Sequence, residues 1–185
     1  MGARGFVAPD AHVVGDVVLG DDVSFWFATA ARGDVHRIRI GDRTNVQDGT
    51  ILHVSYRDFP LEIGDDVVIG HSAMVHGCVV ENGCLIGIGA RVLDGCVLEE
   101  GCQIGAGAVV APGTRIPAGH LALGVPAKVK RPLSSEERQA ILGIADRYRR
   151  LKDEYRESLG DGIDRVGREL EARIRPEESE VGDAS

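Results

Sequence analysis

The sequence predicts an all-β solenoid, a single-stranded parallel β-helix, followed by a C-terminal α-helix. Three observations carry this. Aliphatic residues recur every six positions over about two-thirds of the chain. Glycine is abundant, with 25 of 185 residues, while aromatics make up only 4%. Beyond Ala127 the six-residue period stops, and from Ser134 the apolar spacing is that of a helix.

The period is clearest from Val80, where the chain divides into VENGCL, IGIGAR, VLDGCV, LEEGCQ, IGAGAV, VAPGTR and IPAGHL. Each segment opens on an aliphatic residue that points inward. The fifth position is small, as at Cys84, Ala90, Cys96, Cys102, Ala108 and Thr114, and points inward as well. Three segments make a triangular coil of about 18 residues, and coils stack at about 4.8 Å. One repeat cannot bury its apolar face, whereas a stack buries a continuous one. The four cysteines, Cys78, Cys84, Cys96 and Cys102, occupy small inward positions, so they read as reduced core residues rather than as a metal or redox motif.

Backwards from Val80 the frame continues to the N-terminus with two excursions, Gly33 to Arg39 and "VSYRDFP" from Val54 to Pro60. Loops leaving a regular repeat often carry binding function. Past the solenoid, Ser134 and Glu137 have the spacing of a capping box. Ile141, Ala145, Tyr148, Leu151 or Lys152, Tyr155 and Leu159 then form an apolar stripe at helical spacing. The expected organisation is a β-helix over 1–127, a linker and helix over 128–160, and a second short helix with a disordered tail over 161–185.

The frame also assigns faces. Segments starting at 31, 52, 75, 92 and 110 share a first face. Those at 25, 46, 69, 86 and 104 share a second, and those at 19, 40, 63, 80, 98 and 116 a third. His53 and His76 are second residues of first-face segments, one coil apart in one outward column, close enough to converge on one ion. His71 lies on the second face and cannot join them within one chain. In a homotrimer the first face of one subunit packs on the second face of the next, because a cyclic contact is heterologous. His53 and His76 with His71 of the partner subunit then give three imidazoles and an open position, the pattern of a catalytic zinc site. A single surface histidine is usually incidental, as His12, His36 and His120 are read to be; three in register across one interface are harder to obtain by chance.

Arg32 shares the column of His53 and His76. Gln47 and Asp48 lie on the second face, with Asp48 in the column of His71, where it can orient that imidazole. Gln47 can hydrogen-bond a water at the metal, and Arg32 can pair with Asp48 across subunits. The competing reading of Arg32, Asp34 and Asp48 is an interface salt-bridge network without chemistry.

"ARGDVHRIRIGDRTNVQDGTILHV" followed by "IGHSAMVHGC" resembles the γ-class carbonic anhydrase family, and the likeness extends over nearly the whole chain. The resemblance implies a left-handed β-helix, trimeric assembly and Zn2+ (with Fe2+ or Co2+ as alternatives) held by His53, His76 and the partner's His71. It implies roles for Arg32, Asp34, Asn45, Gln47 and Asp48, with Gln47 orienting a metal-bound hydroxide and Arg32 supporting the interface and the anionic product. Tyr148 matches a helix tyrosine that approaches the metal. The implied reaction is reversible hydration of CO2 to bicarbonate, the metal lowering the pKa of its water to about 7. The chain departs from the family's acidic-loop type: Val35 follows "RGD", and the second excursion has Asp58 as its one acid. Proton export is therefore expected to be slow.

Two other classes compete. Many hexapeptide proteins are acyltransferases with one histidine as base in an intersubunit cleft. A metal-holding trimer acting as scaffold or thioesterase is the other. The net charge of −8 argues against nucleic acid or an anionic membrane as partner. With no signal-like or bilayer-length apolar run, a cytoplasmic protein acting on a small-molecule substrate is expected.

Overall fold

The computed structural model describes residues 2–159. It is a left-handed parallel β-helix of about six turns with one helix at its C-terminal end. The three faces are those the six-residue frame requires. On the first, Ala31, Leu52, Val75, Val92 and Val110 stack in register. On the second, Phe25, Val46, Ile69, Ile86 and Ile104 do so. On the third, Leu19, Ile40, Ile63, Val80, Leu98 and Ile116 do so. All of these side chains are buried, and each of the larger ones, all but Ala31, contributes about 1.5–3 kcal/mol by leaving water. Cys84, Cys96 and Cys102 fill the space between them. The Cys84 and Cys102 sulfurs lie 3.7 Å apart without a bond.

The corners are tight turns through left-handed backbone. On one edge the residues with positive φ are Arg4, Asp22, Arg43, Asp66, Gly83, Gly101 and Gly119, one per coil. Glycine takes this conformation without steric cost, and the lower coils use other residues that bond locally. Arg43, for example, makes a bidentate ion pair with Asp66 at 2.8 Å.

The first excursion is not a loop. Ala30–Ile40 is one continuous strand, paired in parallel with His12–Leu19, and the register shifts between Gly15 and Val17. The extra residues lie in the upper strand alone: one residue between Gly15 and Val17 stands opposite four between Gly33 and Ile38, so they form a bulge in a strand that stays paired on both sides of it. The long strand turns a corner. It pairs with Ile51–His53 near its start and Leu61–Ile63 at its end, and so joins the first and third faces into one ten-stranded sheet. The second excursion is a loop, closed by the Ser55 N–H donating to the Phe59 carbonyl at 3.1 Å.

The segment expected as a linker holds a strand. Lys128–Pro132 runs antiparallel to His120–Leu123 and covers the end of the second-face sheet, as an open sheet edge requires. Ser134 then caps a helix over Ser135–Leu159. The Glu137 N–H donates to Ser134 Oγ at 3.2 Å, and the Ser134 N–H donates to Glu137 Oε2 at 2.9 Å. The helix runs back along the second face. Ile141 and Ala145 pack with Val68, and Tyr148, Leu151 and Tyr155 pack around Phe6, Trp26 and Phe27. Lys152 is wholly buried, its Nζ 2.8 Å from Asp22 Oδ1 and 2.6 Å from Asp153 Oδ1. Leu159, the expected end of the stripe, is exposed. The expected second helix and tail lie outside the described residues. No described helix is long and apolar enough to cross a membrane.

Candidate metal centre

His53 and His76 sit at the ends of the short strands Ile51–His53 and Met74–His76, paired residue for residue. Leu52 and Val75 point into the core, so alternation sends the histidines outward in one column. Their rings lie 5.0 Å apart, and His53 Nδ1 is 3.0 Å from His76 Nε2. Two nitrogens on a tetrahedral zinc with bonds of 2.0–2.1 Å are separated by about 3.3 Å, so the pair is already spaced as two ligands of one ion.

Each ring nitrogen that faces away from this pair has a carboxylate. Asp34 Oδ1 lies 3.1 Å from His53 Nε2, and Asp94 Oδ1 lies 2.5 Å from His76 Nδ1. The two facing nitrogens are hydrogen-bonded to each other at 3.0 Å, with the donor set by the tautomer; a cation that displaces this shared proton would find two acceptors already side by side. His71 repeats the arrangement on the second face: its Nδ1 is 2.9 Å from Asp48 Oδ2, leaving Nε2 available. Its side chain is 41% exposed, against 20% and 27% for His53 and His76, so it remains open to another chain. A carboxylate behind a ligating imidazole fixes its tautomer and raises its basicity, and three such imidazoles with one open position suit zinc.

A single chain does not close this site. Among the described residues, no three His, Cys, Asp or Glu side chains converge as a metal-holding group. His53 and His76 belong to the first face and His71 to the second.

The remaining expected residues divide the same way. Arg32 pairs in register with His53 and makes an ion pair with Asp34 Oδ2 within its own chain. Gln47 and Asn45 are buried on the second face, where Gln47 Nε2 donates to Asn45 Oδ1 at 3.1 Å. That bond uses one of the two amide N–H groups and fixes the orientation of the amide, leaving Oε1 on its other side as an acceptor. Tyr148 reaches the same region from the helix, its ring 5.3 Å from that of Trp26. Burial first, and the Asp48 charge further, push the Tyr148 hydroxyl above its usual pKa, so it stays a donor. Gln47, His71 and Tyr148 line a cavity of about 380 Å3 with an apolar wall that includes Ile88 and Ile144. A larger groove of about 670 Å3, beside Arg43, Gly101 and Ile141, touches none of these residues.

Asp94 and Ser55 were not singled out in the sequence. Their signal is positional: Asp94 lies one coil beyond His76, at the corner that ends the first face, and Ser55 is the second residue of the second excursion.

Residues 77–118 match the family model "Bacterial transferase hexapeptide (six repeats)". The Escherichia coli protein YrdA is 48% identical over 161 residues, covering 84% of this chain and 88% of that protein. A probable carbonic anhydrase of Methanocaldococcus jannaschii is 48% identical over 147 residues, covering 80% of this chain and 92% of that protein. The crystal structure of a putative acetyltransferase from Bacillus cereus superposes with a TM-score of 0.82 at 41% identity, covering 84% and 91% of the two chains.

Proposed function

The chain belongs to the γ carbonic anhydrase-like family of hexapeptide-repeat proteins, and on that premise we propose that it is a zinc-dependent enzyme hydrating CO2 reversibly at the interfaces of a homotrimer. The observation that supports this best is the histidine set. His53, His76 and His71 each have one ring nitrogen against an aspartate, and the second nitrogens of His53 and His76 meet each other at 3.0 Å, a spacing that suits two ligands of one ion.

In this reading zinc is held by His53 and His76 of one chain and His71 of the partner subunit. When bound, it supplies Lewis acidity and brings the pKa of a water to about 7. The chain's own residues position that water and clear the product. Gln47 Oε1 would accept a hydrogen bond from such a water and so orient it. Asp34, shared between His53 and Arg32, fixes both, and guanidinium N–H groups not used by Asp34 face an anionic product. The Tyr148 hydroxyl donates at the same cavity. Proton removal is the weak point: in the second excursion only Asp58 is acidic, so buffer must carry the proton.

The acyltransferase reading takes support from the putative acetyltransferase of similar structure. It needs a histidine free to act as a base beside an acyl donor; His71, backed by Asp48 at the cavity, has that form, while the pairing of His53 with His76 favours the metal reading.

Metal analysis and stopped-flow CO2 hydration, with and without imidazole buffer, test the proposal. About one divalent metal per chain and a turnover that rises with imidazole are expected. A metal-free protein overturns the site. A metal-loaded protein that hydrates no CO2 in either buffer overturns the anhydrase activity and leaves a metal-holding trimer.

A further inference from the structure

We infer that Asp94 and Ser55 form a brace that holds His76 in its metal-ligating orientation, and that the second excursion exists to supply that brace. This rests on the metal reading above and extends it to residues that have no other assignment.

Both oxygens of Asp94 are committed. Oδ1 lies 2.5 Å from His76 Nδ1, and Oδ2 accepts from Ser55 Oγ at 2.7 Å. The carboxylate is therefore fixed at both ends, and it leaves His76 Nε2 as the only ring nitrogen able to bind an ion. A carboxylate with one free end swings, and the imidazole swings with it.

The backbone around the brace is shaped to admit it. Gly77, next to His76, has φ 47°. A Cβ there meets Asp94 Oδ1 at 2.5 Å and Phe59 Cβ at 2.8 Å. The lack of a side chain at Gly77 thus makes room for the carboxylate and for the returning arm of the excursion. Phe59 also covers Gly95, where an added Cβ would lie 3.1 Å from the ring. With Ser55 N–H closing on the Phe59 carbonyl, the excursion is a folded clamp against the coil above His76. Ser55 and Asp94 are 39 residues apart in sequence, and only the stacking of coils brings them together.

Asp94 and Ser55 are positioning residues, and zinc affinity reads their effect without reference to turnover. Competition against a chromophoric chelator should show Asp94→Ala weakened about 10- to 100-fold. Asp94→Asn keeps an acceptor for His76 and should lose less, and Ser55→Ala should lose less than Asp94→Ala. The absorption bands of the cobalt-substituted protein should shift in Asp94→Ala and recover toward wild type in Asp94→Asn. The unfolding midpoint of the metal-free protein should stay close to wild type in Asp94→Asn and Ser55→Ala. Asp94→Ala with wild-type affinity and cobalt spectrum overturns the brace, as does an affinity loss matched by equal loss of metal-free stability in all three variants. A wild-type protein that takes up no metal overturns the underlying site instead.

Discussion

At Gly77 a missing side chain separates two requirements of the site. The Asp94 carboxylate and the Phe59 Cβ both occupy the space that a Cβ would need, and the φ of 47° adds strain for any other residue. Gly77→Ala is therefore expected to cost about 1–3 kcal/mol of stability and to weaken zinc binding by displacing Asp94. Thermal unfolding of the metal-free protein, with chelator competition on the same preparation, checks both. An alanine variant equal to wild type in stability would mean that the coil relaxes around it. The contrast with His76 shows what a sequence reveals at this scale. The column of His53 and His76 follows from counting in sixes, because alternation fixes which way a strand residue points. Asp94 and Ser55 sit at a corner and in an excursion, where no period fixes direction, and the reach of a side chain back toward the column is set by packing alone. Asp48 was legible as a support for His71 because it lies one coil away in the same column.

Among the elements, the helix start was readable to the residue, since a capping box is a local pattern with local bonds. Ser134→Ala is expected to cost about 1 kcal/mol, read by denaturant unfolding. Glu137 completes the box. Its carboxyl is held at about 2, first by the Arg131 guanidinium and then by the Ser134 N–H. Its folded pKa is thus below the unfolded value, so its contribution is complete above about pH 4.5 and disappears as pH falls toward 2. Glu137→Gln should therefore be less stable than wild type at neutral pH, and the two should converge in acid. A gap independent of pH would assign the effect to packing. Two other elements were not readable. The continuous strand Ala30–Ile40 looked like a loop because its extra residues break the period, and only its partner His12–Leu19, one coil below, makes it a strand. Lys128–Pro132 looked like a linker because it has no inward aliphatic pattern; as an exposed terminal strand it needs none.

For the whole molecule, the placing of His71 on one face and His76 on another, five residues on, becomes an argument about assembly. A prism with three faces displays its ligands on two of them, and these faces cannot meet within one chain. In the proposed three-fold ring, each interface would take His53 and His76 from one subunit and His71 from the next. His53→Ala and His71→Ala each remove a ligand from every site in a homogeneous trimer. Co-expressed in equal amounts, the two variants mix. An interface is then intact when an unaltered His53 meets an unaltered His71, which random assembly gives for about a quarter of sites. Metal content of the mixed protein should recover to about a quarter of wild type, while each variant alone stays near the background. If all three ligands came from one chain, no mixed site could be complete and the mixture would bind no more than its parents. Recovery without hydration of CO2 would still establish the shared interface, because metal content reports how the faces meet and not what the site does with its substrate.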